Sequence, residues 1–158
     1  MENQDVSIVS LPPMRVASFY AFSSSPEAEA WTMMVAWAKA HACWQDHPKT
    51  RIFGFNNPDP SVGSPNYGYE YWLTIDPSIQ QDNDPTVKDF PGGLYGVLRC
   101  EVSEKPWEII PNSWKILVKW LESSHYKHGN HQWLEEHLTR SESNEQGFVL
   151  DLYIPIAK

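Results

Sequence analysis

The sequence predicts an α+β fold in which a strand–helix–strand–strand unit is used twice, giving a mainly antiparallel sheet and two packed helices. Three observations lead there. Each half carries one stretch with helical apolar spacing, strand-like stretches flank it in the same order, and matching elements recur about 80 residues apart. A half alone could not bury its helix-covered sheet well, so the pseudo-repeats, about residues 5–76 and 93–158, are expected to share a core in one domain. A chain of 158 residues with 41% hydrophobic side chains is long enough to close it.

Asp5 to Leu11 alternates loosely around Val6, Ile8 and Val9, Pro12-Pro13 punctuates it, and Met14 to Phe22 reads as a strand. Ser25-Pro26 offers a capping hydroxyl and a proline for the first helical position, with Glu27 and Glu29 near the positive end of the dipole. Ala28, Trp31, Val35, Ala38 and Ala42 then recur at helical spacing, so a helix is expected from about Pro26 to about Cys43. His47-Pro48 stops it. Arg51 to Asn57 is a short strand containing Gly54, and a turn-rich run from Asn57 to Pro65 leads to a strong strand from Asn66 to Asp76. Asp76 to Gly93 has no periodicity and reads as the connection between halves.

Leu94 to Val102 is a strand and Glu104 to Pro111 a loop. Asn112 or Ser113 can cap a second helix to about Tyr126, with Trp114, Leu117, Val118 and Leu121 on one face and Gly129 as its stop. His131 to Leu138 fits either a helix or a strand. The repeat order selects strand, and Phe148 to Ile156 is the last one.

Composition excludes several classes of function. The 12 basic and 20 acidic side chains give a net charge of −8, which disfavours a nucleic-acid surface. No apolar run approaches the roughly 18–20 residues of a membrane span, and Met1 to Asp5 has no basic, apolar leader pattern. Cys43 and Cys100 form no Cys-x-x-Cys pair, and Gly129-Asn130 interrupts the spacing of His125, His128 and His131, so no metal is expected. Phosphate-loop, dinucleotide and nucleophile-elbow motifs are absent, so no cofactor is expected. The expected location is the cytoplasm. The unusual feature is 8 Trp, 7 Tyr and 6 Phe, 13% of the chain, which suits an aromatic-lined pocket for a flat or cationic ligand as well as a core.

Five stretches in this order resemble the bacterial gyrase-inhibitor-like family, which is related to the effector-binding domain of multidrug-responsive transcription activators. They are Leu11-Pro12-Pro13-Met14-Arg15-Val16-Ala17, Arg51 to Pro58, Tyr67-Gly68-Tyr69-Glu70, Phe90-Pro91-Gly92-Gly93-Leu94-Tyr95 and Trp133-Leu134-Glu135-Glu136-His137. The resemblance covers about residues 5 to 158 and implies a central groove between the halves that binds bulky, often cationic, aromatic compounds. It places Glu135 in that groove as the acid, with Trp31, Tyr69, Trp107 and Phe148 on its lining and His137 on the Glu135 face. The first strand begins near Val6, which leaves no room ahead of it for the DNA reader of the activators, so a stand-alone protein is expected.

As a strand, 131–138 would turn Trp133, Glu135 and His137 to the groove and Leu134 and Leu138 to the helix-covered core. An acid between an indole and an imidazole would be partly desolvated and its pKa raised, which suits cation binding or proton transfer. Tyr67, Tyr69 and Tyr71 share one strand face and Glu70 and Trp72 the other, making Glu70 a second acid candidate. Trp31 also fits the core-facing stripe of its helix, and Trp107 beside Pro106 suits a lid.

The reading is therefore a binder that sequesters aromatic small molecules. Two alternatives accompany it: a hydrolase opening strained electrophilic rings with Glu135 as the catalytic group, and an inhibitory partner of DNA gyrase.

Overall fold

A computed structural model describes residues 6–42, 44, 50–78, 86–139 and 147–158. The elements in chain order are β1 (Ser7–Leu11), β2 (Met14–Ser23), α1 (Pro26–Ala40), β3 (Ile52–Asn56), β4 (Tyr67–Thr74), β5 (Thr86–Phe90), β6 (Gly93–Val102), α2 (Pro106–Ser123), β7 (Lys127–His128), β8 (Leu134–His137) and β9 (Phe148–Ala157). They form two compact units. The first takes Met14–Phe90, and the second takes β1, Pro91–Thr139 and β9.

The first unit has strand order β3-β4-β2-β5, antiparallel throughout, with α1 on one face. The second has β1-β6-β9-β8 with β7 also on β9, again antiparallel, and α2 on one face. Each contains the strand–helix–strand–strand order, as β2-α1-β3-β4 and β6-α2-β8-β9. The fold is α+β with a duplicated unit.

In the first unit, Ala30, Trp31, Met34, Val35 and Ala38 of α1 pack on Ala17, Phe19 and Ala21 of β2, Ile52 of β3 and Tyr69, Tyr71 and Leu73 of β4. Alanines on the inward face let the helix come close enough for one indole to fill the middle. Trp31 meets Tyr71 edge-on at 5.1 Å and Trp44 at 5.9 Å. Rings of this size each remove roughly 150–250 Å² from water, so a few of them suffice for a core this small. Ser25 makes no side-chain cap, and α1 starts instead on Pro26 with acidic residues in its first turn. The Tyr67 hydroxyl donates to Glu27 at 2.6 Å and ties that turn to β4. At the other end Ala42 adopts a left-handed φ of 57°.

In the second unit Leu117 and Leu121 of α2 pack on Leu98, Cys100 and Val102 of β6 and Leu150, Leu152, Ile154 and Ile156 of β9. The helix begins at Pro106, about two turns before the sequence suggests. Pro111 misled the reading, because its missing N–H costs only one intrahelical bond and the chain is already helical around it. Two strands lie outside the sequence expectation. β5 occupies part of the supposed connection and pairs with the first half of β2, and β7 pairs only at the end of β9.

Gly54 of β3 faces α1, and a Cβ there would come within 2.6 Å of Tyr69 Cε1. Because the Tyr69 ring is buried, Gly54→Ala is expected to lose about 1–3 kcal/mol by overpacking, measured as a lower urea midpoint with unchanged slope. An unchanged midpoint would mean that the ring moves aside freely.

Candidate functional site

The faces turned away from the helices carry the charge. In the second unit, strand register puts Arg99 of β6, Asp151 of β9 and Glu136 of β8 side by side on one rung. Exposure falls along it: the Arg99 side chain is 58% exposed, while Glu136 is buried. Arg99 grips Asp151 with Nε and Nη2, and this fork, together with the nearby charges of Asp151, Glu101 and Glu136, outweighs burial and holds the guanidinium more firmly protonated than usual. Glu136 Oε1 accepts from the Tyr153 hydroxyl at 2.7 Å. Tyr153 meets Tyr95 edge-on at 5.4 Å, and Tyr95, whose phenol burial pushes up, donates to the Gln132 carbonyl. Acids outnumber bases on this rung, and rings close its inner end.

In the first unit the same face carries Glu70. Its Oε2 accepts from Ser18 Oγ at 2.6 Å, Trp72 Nε1 at 2.7 Å and Lys88 Nζ at 2.6 Å. Burial pushes the Glu70 carboxyl up, but hydrogen bonds from Lys88, Ser18 and Trp72 together bring it below its ordinary value. Trp72 lies 4.9 Å from Phe55 and 5.4 Å from Phe90, ring centre to ring centre. Among the described residues no cluster of three metal-ligating side chains occurs.

The residues named from sequence fall into three groups. Trp31 and Tyr69 are buried in the α1 core. Glu70 lies opposite them, as strand alternation requires. The others lie in the second unit. Glu135 pairs with Leu152 and His137 with Leu150, both residues of the α2-facing core, and Glu135 Oε2 accepts from Trp114 Nε1 of α2 at 2.9 Å. The facing expected for β8 is thus inverted: Glu135 and His137 turn to α2, and Leu134 and Glu136 turn away. Both faces of β8 are buried or half-buried, so an apolar residue does not mark the helix side, and choosing the wrong face moves every side chain across. Trp133 is partly exposed beside Trp114, and Phe148 packs at the edge of the α2 core. Trp107 lies in the first turn of α2 rather than in a loop, and it is 72% exposed.

Sequence reasoning did not single out Glu136, Asp151, Tyr153, Arg99 or Lys88, which the fold brings to these helix-free faces. A signal existed: Glu70-x-Trp72 and Asp151-x-Tyr153 repeat the same acid–x–aromatic step about 80 residues apart, on the last strand of each repeat.

The family described as integron-associated effector binding protein matches residues 7–156. The chain belongs to that family. It is a gyrase-inhibitor-like family related to the effector domains of multidrug-responsive transcription activators. Solved structures share the fold at low identity. The C-terminal domain of EcmrR is 12% identical over 99% of both chains, with a TM-score of 0.69. A hydrolase from Listeria innocua is 11% identical over 99% of this chain and 94% of its own, with a TM-score of 0.58. SAV2435 bound to tetraphenylphosphonium is 10% identical over 99% of this chain and 94% of its own, with a TM-score of 0.54. At such identities the likeness carries the fold and not the chemistry. No curated protein matches this sequence. Among the described residues no helix is long and apolar enough to cross a membrane.

Within this effector-binding fold, burial pushes the fully enclosed His137 imidazole down from 6.5 to about 3. Below pH 6.5 the unfolded chain takes up a proton there that the folded chain refuses, so stability falls as pH drops from about 6.5 toward 3. His137→Leu is expected to flatten that slope by up to about 1.4 kcal/mol per pH unit, read from urea unfolding across the window. An unaltered slope would show that the imidazole is protonated in the fold.

Proposed function

We propose that this protein binds bulky aromatic cations on the helix-free face of its second unit. The observation that carries the reading is the rung of Arg99, Asp151 and Glu136, whose inner acid is buried and accepts a hydrogen bond from the Tyr153 hydroxyl. A buried carboxylate there is shielded from water, so a ligand cation meets a strong field, and flat groups gain from the neighbouring rings of Tyr153 and Tyr95. That SAV2435 shares this fold and was solved bound to tetraphenylphosphonium supports the same ligand class. In this proposal Glu136 takes the part expected of Glu135.

The test is calorimetric titration with tetraphenylphosphonium. Glu136→Gln keeps the shape and removes the charge, and it is expected to weaken binding by about tenfold or more. Glu135→Gln is expected to leave affinity unchanged, since that side chain is turned to Trp114. Equal affinity of wild type and Glu136→Gln would overturn the reading, and loss in Glu135→Gln instead would move the site to the α2 side.

A further inference from the structure

The acid of the first unit already has a cation of its own. Three donors meet on Glu70 Oε2, and Asn57 Nδ2 reaches Oε1 at 3.3 Å. The three on Oε2 differ in kind. Ser18 and Trp72 sit on strands β2 and β4, buried, and hold the carboxylate in place by themselves. Lys88 reaches in from β5 on a flexible four-carbon stem, and its side chain is 43% exposed. Of these three donors, only Lys88 has water to move into. The space beside the carboxylate is otherwise aromatic, formed by Trp72, Phe55 and Phe90, all buried.

We infer that the position of Lys88 Nζ beside Glu70 is a binding position for the primary ammonium group of an aromatic amine, with Lys88 acting as a tethered competitor that the ligand displaces. The inference rests on the small-molecule reading above but not on Glu136. The contact is a hydrogen bond of 2.6 Å from an N–H donor. A quaternary ammonium or phosphonium centre has no such proton and cannot approach so closely, so this position selects primary amines over the cations that the second unit suits. The exchange conserves charge: the ligand's ammonium replaces one ammonium at Glu70, and the displaced Lys88 remains charged in water. An aryl group on a short linker then lies against Trp72. A tethered lysine competes at an effective concentration of millimolar or more, so its removal raises the apparent affinity of a free amine by about tenfold or more.

Phenethylamine and phenyltrimethylammonium, an amine and a quaternary cation of similar size, make the test. Calorimetry on wild type, Lys88→Met and the double variant Glu70→Gln/Lys88→Met is expected to show phenethylamine binding to Lys88→Met about tenfold or more tightly than to wild type. The quaternary probe should gain much less, and the double variant should lose the gain. Unchanged phenethylamine affinity in Lys88→Met, or an equal gain for both probes, overturns the inference. If Lys88→Met does not fold, wild type decides by NMR: saturating phenethylamine should move the Lys88 Cε–H signal to the position of a free lysine, and a signal that stays put overturns it. Failure of tetraphenylphosphonium to depend on Glu136 would sink the earlier reading and leave this comparison intact.

Discussion

Near the middle of each sheet both faces are buried, so a charge placed there on the face without a helix must have its partners within reach. A carboxylate taken out of water without compensation is unfavourable by several kcal/mol, far more than one hydrogen bond returns. Glu70 meets the requirement with four donors, enough to keep its carboxyl more acidic than usual in spite of burial. Asp151 meets it with a forked guanidinium at the wet end of its rung, and Glu136 with a phenol at the dry end. The two units thus satisfy one constraint with different chemistry.

That difference grows from a common scaffold. On the last strand of each repeat an acid is followed two residues later by a large ring, Glu70 then Trp72 and Asp151 then Tyr153. The basic partners come from elsewhere: Lys88 from β5, Arg99 from β6. An ammonium on a flexible stem is a single-point contact that can leave, whereas a forked guanidinium fixes two oxygens and stays. One duplicated skeleton can therefore present an exchangeable cation in the first unit and a fixed one in the second, beside a further acid. On the proposals above, discrimination between kinds of cation would follow from that asymmetry more than from the rings, which are abundant in both.

The fold was legible wherever local chemistry was strong and faces were distinct. Pro26 with Glu27 and Glu29 announced α1, and Tyr67 to Thr74 announced β4 with the correct faces for Tyr69 and Glu70. β5 was hidden because Thr86 to Phe90 is short, half polar and preceded by Pro, Asp and Asn, and only its pairing with β2 makes it a strand. The start of α2 was hidden by Pro111. The proposed site was legible only in part. The resemblance pointed to β8, the strand that also carries the acid of the proposal, but Leu134-Glu135-Glu136-His137 offers an acid to either face. Which glutamate joins the tyrosines is decided by the register with β9, a long-range fact that alternation within four residues does not contain.

The inverted β8 also separates two roles that the sequence appeared to merge. On the α2 side, His137 is enclosed and neutral and Glu135 is held by an indole N–H, so this face spends its polar groups on joining strand to helix. On the other side, Glu136 and Tyr153 form a pair next to a rung that reaches solvent at Arg99. A ligand gains little from groups whose partners are fixed within the core, because each new contact must break one of equal strength. It gains from groups whose present partner can leave. That is why the proposals above look to the helix-free faces, where Lys88 can swing away from Glu70 into water, and not to Glu135 and His137, which join strand to helix.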